Sequence, residues 1–204
     1  QGVDYLTRQY SRFYSTLSGK TPTSYIDVSL GKLKSINVNF VGQIRYPGVY
    51  PVHPFSNVIT GLIQTGGVDT TGSLRKIKII REGDMVYEVD LYKYLLSGEM
   101  PSNIQLRDQD IVFVPPRLSN VQIDSAVVNQ GVFEILENET IYDLIQYAGG
   151  LTYDASGDIG VLRLKKPFNE ENFLNSSFYT DINQSKFIPI KNGDIVTARY
   201  LLNR

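Results

Sequence analysis

Apolar and polar residues alternate from Ile36 through Val38 to Phe40, which predicts a strand with one buried face. Tyr46-Pro47-Gly48-Val49 follows, the residue order of a type II turn, with Pro presetting φ and Gly accepting a positive φ. Tyr50 and Val52 continue the hairpin. Asn57 is placed to cap a helix of about ten residues whose inner face is Val58, Ile59, Leu62 and Ile63. Gly66 supplies its left-handed stop. Strands are predicted at Lys76–Arg81 and Met85–Val89, joined at Glu82-Gly83-Asp84. A short helix over Asp90–Leu96 and a closing strand at Ile111–Val114 complete the unit before Pro115-Pro116.

The same pattern is written again. Gly48 precedes Gly66 by 18 residues, and Gly131 precedes Gly149 by 18. Thr140 and Asp143 read as a capping box ahead of Leu144, Ile145 and Ala148, with Gly149-Gly150 as the stop. A strand is expected at Val161–Lys165, and Tyr179–Ile182 matches Glu88–Leu91. The extra length of the second copy falls in a polar loop around Pro167–Ser177. Asn192-Gly193 turns into a last strand, Asp194–Tyr200. A hairpin, one covering helix and further strands make a small α+β unit, and this order matches the β-grasp, or ubiquitin-like, arrangement. The expected domains are residues 36–117 and 118–204. Residues 1–35 form a partial upstream unit. In it Leu6, Tyr10, Phe13, Tyr14 and Leu17 mark an amphipathic helix over residues 3–17, stopped by Ser18-Gly19-Lys20 and Pro22, and Tyr25–Leu30 reads as a strand.

VGQIRYPGVYPV, a helix ending in TGGV, then IKIIR, VDL and RDQDIVFVPP resemble the SLBB domain, the soluble-ligand-binding β-grasp. The segment VSLGKLKSINVNFVGQIRYPG is similar to Bacteroidetes-type members of the outer-membrane polysaccharide export family, in which such domains occur in tandem. Repeat 2 departs from the pattern at Ser125-Ala126-Val127, at Gln130 and at Thr197-Ala198. The resemblance implies a non-catalytic periplasmic component of capsular or exopolysaccharide export. It would act through packing of SLBB domains in a homo-oligomer, with polysaccharide or export-machinery proteins as partners. The resemblance implies an export domain upstream of the first SLBB unit, and outer-membrane association would come through a segment missing from this chain. The alternative is a module that binds a small soluble ligand, a saccharide or a cobalamin-like molecule.

Composition narrows the chemistry. Across 204 residues the net charge is −1, so no global basic field attracts nucleic acid. There is no Cys and one His, which excludes disulfides, thiol nucleophiles, Cys-ligated metals and multi-imidazole sites. No apolar run reaches the ~20 residues of a membrane-spanning helix. No cofactor is expected. Gly66-Gly67 follow a helix and so face its carboxyl end, the wrong end for phosphate. Gly19-Lys20-Thr21 lacks the upstream Gly and leading strand of a P-loop. Asp154-x-Ser156-x-Asp158 alternates oxygens like a calcium loop, but Ile159 holds the position of the required Gly. Asp108 and Asp110 are close enough for a carboxylate pair, yet Asp110 recurs as Asp194 at the same strand entry, which points to turn structure. His53 reads as a surface residue, and no Gly-x-Ser-x-Gly is present, so a hydrolase has no machinery. Fourteen Tyr and nine Phe leave room for a sugar-stacking surface built from Tyr46, Tyr50, Tyr87, Tyr92 and Tyr94. The ligand or partner surface is placed at the hairpin tip, Arg45, Tyr46 and Tyr50, with Thr70 and Thr71 from the loop after the helix.

Overall fold

The computed structural model describes residues 2–17, 24–27, 31, 33–99, 104–163 and 176–201. The chain forms two compact units, Gln1–Lys34 and Ser35–Arg204.

In the first unit, α1 covers Gly2–Tyr10 and a single 3₁₀ turn covers Ser15–Leu17. The helix is thus shorter than its apolar stripe, and Phe13 beyond it is 82% exposed. Ser24–Asp27 take no regular structure, against the expected strand, and the rest of that strand lies outside the described residues. So do the stop at Ser18–Lys20 and Pro22.

The second unit holds two sheets of identical topology. Strands β1 (Ile36–Gly42), β2 (Gly48–Val52), β3 (Ile77–Arg81), β4 (Asp84–Val89) and β5 (Ile111–Val114) form the first, in spatial order β2-β1-β5-β3-β4. Strands β6 (Asn120–Ser125), β7 (Gly131–Glu134), β8 (Ala155–Arg163), β9 (Ser176–Asp181) and β10 (Ile195–Tyr200) form the second, in order β7-β6-β10-β8-β9. Each opens with an antiparallel hairpin whose first strand pairs in parallel with the last strand. That pairing puts both ends of the repeat at the centre of its sheet, which is the β-grasp arrangement of an α+β fold.

Helices α2 (Val58–Gln64) and α4 (Ile141–Tyr147) each cover one face of their sheet, and α3 (Tyr92–Ser97) follows β4. Both covering helices begin with a capping box. Asn57 and Thr60 exchange bonds in α2, and Thr140 and Asp143 do so in α4. Each helix has seven residues, shorter than expected, and Ile63 points to solvent at 69% exposure. The buried face of α2 is Val58, Ile59, Gly61 and Leu62. Gly61 sits there because a Cβ would lie 2.5 Å from the Phe40 ring. Helix α4 solves the same contact differently: Leu144 occupies the place of Gly61, and Ile123 the place of Phe40, all four fully buried or nearly so. One side is large and the other absent in repeat 1; both are medium in repeat 2. This is volume conservation across a close-packed layer.

The turn at Tyr46–Val49 is not type II. Gly48 is the first residue of β2, opposite Phe40, and its φ of 158° is far from the roughly +80° such a turn needs at its third position. The left-handed residue is instead Gly42, at φ 91°, where a Cβ would stand 2.1 Å from the Val114 carbonyl oxygen. Its counterpart in repeat 2 is Ser125, which takes φ 70° with a side chain. Strand β8 starts six residues earlier than expected, at Ala155, so Ser156 and Asp158 are strand residues and the calcium-like loop does not form. The polar loop of repeat 2 lies outside the described residues as far as residue 175, and Ser176-Ser177 open β9.

Substituting Gly61→Leu is expected to destabilise repeat 1 by roughly 1–3 kcal/mol through overpacking. Adding Phe40→Ile should recover most of that loss. Urea denaturation of the single and double variants measures both.

Candidate functional site

The hairpin tip and the loop after α2 come together. Arg45 N donates to Gly67 O at 3.1 Å, Tyr46 N to Thr65 O at 3.1 Å, and Asp69 N to Gln43 O at 2.9 Å. Thr71 Oγ1 donates to Gln43 Oε1 at 2.7 Å. Gly66 holds φ 80° and lacks a Cβ that would come within 2.8 Å of the Tyr46 ring. Arg45, Tyr46, Thr70 and Thr71 are all exposed on this surface. Tyr50 is not: its ring packs edge-on against Phe40 at 5.9 Å, and its hydroxyl donates to Tyr46 O at 2.9 Å. Repeat 2 builds the same backbone frame, with Val128 N bonded to Gly150 O and Asn129 N to Ala148 O. Only the side chains differ, Arg45-Tyr46-Pro47 against Val128-Asn129-Gln130.

The five tyrosines proposed as a stacking surface do not share one. Tyr46 and Tyr50 lie at the β2 edge of the sheet, Tyr87 lies on β4 at the opposite edge, Tyr94 packs against the core, and Tyr92 is buried.

The carboxylates near the strand entries are structural. Asp110 is fully buried and accepts from Arg81 Nε and Nη2, both at 2.8 Å, and from Arg107 N. Asp194 repeats this with Arg163 and with Lys191 N. Asp108 accepts from Asn37 N at 2.7 Å. The hydrogen bond to Asp110, more than the nearby charge, raises the Arg81 pKa against a smaller burial effect. His53 is exposed, and its Nδ1 accepts from Phe55 N at 3.2 Å. Among the described residues no group of three or more acidic or imidazole side chains converges as a metal site.

The most elaborate polar assembly joins the two repeats, and no sequence pattern announces it. Arg75 precedes β3 and is 6% exposed. Its Nε and Nη2 each donate to Asp90 Oδ2 at 3.0 Å, within repeat 1. Its Nη1 reaches the Glu139 carboxylate of repeat 2 at 2.7 Å. The guanidinium lies over the rings of Tyr92, 4.5 Å away, and Tyr147, 5.1 Å away. Those two rings meet edge to face at 5.3 Å. Glu134, at the end of β7, accepts from Ser73 Oγ at 2.6 Å and Leu74 N at 2.9 Å. The Glu134 N–H donates to Tyr92 Oη at 2.7 Å. Tyr147 Oη donates to Glu139 at 2.6 Å. One buried guanidinium bonded to carboxylates of both repeats makes this a rigid joint.

Burial opposes the charge on Arg75, but the bonds to Asp90 and Glu139 outweigh it and raise its pKa. Burial first, and the bond to Glu139 second, raise the Tyr147 pKa well above 10.0. Burial does the same to Tyr92.

Removing one member of such a network strands buried charge. Arg75→Ala should therefore cost roughly 3–5 kcal/mol, and separate urea transitions for the two repeats should replace one. Tyr147 adds a pH signature. Its folded pKa is raised, so its contribution is intact below the unfolded value of about 10 and is lost as pH rises beyond it. Stability measured from pH 8 to 11 should fall above about 10, and Tyr147→Phe should flatten that fall.

The SLBB-domain family profile matches residues 37–114, and a second SLBB-domain profile matches residues 121–173. Two polysialic acid transport proteins KpsD of Escherichia coli are each 32% identical over 111 residues. That alignment spans 54% of this chain and 20% of each relative. Two profile matches, laid on two sheets of one topology, show that this chain belongs to the SLBB-domain family as a tandem pair.

Proposed function

We propose that this chain is a non-catalytic docking component of a capsular polysaccharide or exopolysaccharide export assembly. It works in the periplasm and is held at the outer membrane through a segment outside this sequence. The observation that carries the reading is the similarity to the polysialic acid transport proteins over a stretch longer than one repeat. Among the described residues no helix is long and apolar enough to cross a membrane.

The joint supports a mechanical role. A tandem held by a buried guanidinium presents two hairpin tips at a fixed separation, which suits docking against other export proteins or further copies of the chain. The exposed tip of Arg45 and Tyr46, beside Thr70 and Thr71, is the proposed contact of repeat 1. An arginine next to an aromatic ring is a common anchor in protein interfaces.

The test is a genetic replacement in an organism that makes the polysaccharide. Arg45→Glu with Tyr46→Ala should reduce surface polysaccharide while the protein level stays normal. Normal export by that variant would remove the tip from the docking role. Calorimetry with oligosaccharides separates the ligand-module reading, which requires saturable heat where the docking reading expects none.

A further inference from the structure

Each sheet leaves the second strand of its hairpin at an edge, β2 in repeat 1 and β7 in repeat 2. Every other residue of an edge strand turns its backbone N–H and C=O outward, where another strand can pair with them. The first strand of each hairpin shows which residues those are. Asn120 and Gln122 of β6 donate away from β7, to Asn192 Oδ1 at 2.8 Å and to Asp194 O at 3.1 Å. Opposite them stand Glu134 and Val132, whose backbone groups therefore point outward. In repeat 1, Asn37 and Asn39 donate in the same way, to Asp108 Oδ1 at 2.7 Å and Asp110 O at 2.9 Å. Opposite them stand Pro51 and Val49. Pro51 and Glu134 thus hold the same edge position.

Each repeat removes the outward donor at that position, by different means. Pro51 has no N–H, and it breaks no ladder bond because none is made there. Glu134 keeps its N–H, which donates to Tyr92 Oη at 2.7 Å, while its carbonyl accepts from Arg75 Nη1 at 3.4 Å. Side chains of repeat 1 therefore occupy both outward backbone groups of that residue. Strand β7 has four residues, so Val132 alone remains outward and unblocked. With the joint open, the edge would suit a copy of itself. Two β7 strands laid antiparallel about Phe133 set Val132 of each opposite Glu134 of the other, which exchanges backbone bonds at both pairs and opposes no like charges. Val132 is 52% exposed and offers an apolar side chain to that pairing.

We propose that the joint is also an autoinhibitory contact: Tyr92 and Arg75 hold the β7 edge closed against pairing with β7 of a second copy. Pro51 blocks the matching edge of repeat 1 permanently, whereas the block on repeat 2 is released when the joint opens. The two parts of Tyr92 have separate tasks. Its ring lies against the guanidinium, and its hydroxyl caps the edge.

Tyr92→Phe keeps the ring and removes the cap. Backbone amide exchange followed by NMR should be at least about tenfold faster at Glu134 in this variant than in the natural chain, with Phe133, an inward ladder residue, unchanged. Equal exchange at Glu134 would overturn the proposal. Sedimentation over a range of concentrations reads the pairing itself. Arg75→Ala combined with Tyr92→Phe should self-associate more strongly than the natural chain, and adding Glu134→Pro, the residue type repeat 1 uses, should abolish the gain. Association that persists with the proline, or a folded double variant that gains none, would overturn it. Pro51→Val tests the edge position with the joint intact. It restores an uncapped outward N–H on β2 and should promote self-association through repeat 1; no change from the natural chain would count against edge control at this position.

Discussion

The guanidinium of Arg75 fixes the relation between the two β-grasp repeats. A charge this deeply buried is tolerated only when its donors are matched. Asp90 matches them from its own repeat and Glu139 from the other. Tyr92 and Tyr147 close over it from the same two sides, and Glu134 ties in the backbone of Leu74. The repeats are therefore joined by directional bonds, which fix an angle as well as a contact. An apolar seam of equal size would hold them together with less constraint on orientation.

Within each repeat the organising constraint is the parallel pairing of first and last strand. It places Phe40 and Ile123 at the centre of their sheets, under the covering helix. The antiparallel pairing of the last strand with the third brings the last strand's entry beside the third strand's end, where Asp110 meets Arg81 and Asp194 meets Arg163. These ion pairs occupy the same place in both copies. The joint does not, because it uses one side of repeat 1 and a different side of repeat 2. A tandem duplication supplied two similar cores, and the asymmetry lies in what each surface is asked to meet.

That division bears on function. The residues shared by the copies, such as Gly66 and Gly149, serve backbone geometry. Residues that differ lie at the hairpin tips and at the joint. A docking component needs a rigid frame with distinct exposed ends, and the tandem provides one.

Much of the fold was legible in the sequence because its causes are local. Alternation marked the strands, Asn57 and Thr140 marked the helix starts, and paired glycines marked the helix ends. Gly42 was missed because its reason is a carbonyl on a strand some seventy residues away. Ile63 was misassigned because a seven-residue helix buries a narrower face than its apolar pattern suggests. The tip at Arg45 and Tyr46 and the loop at Thr70 and Thr71 lie beside each other through backbone bonds from Arg45 to Gly67 and from Tyr46 to Thr65. Arg75, Glu134, Glu139 and Tyr147 carried no signal, because nothing local distinguishes an arginine that will be buried from one that stays in water. By itself, then, the sequence determined two β-grasp units and their order. Only the tertiary structure decided how they are joined, because that depends on charges some sixty residues apart meeting where water is excluded.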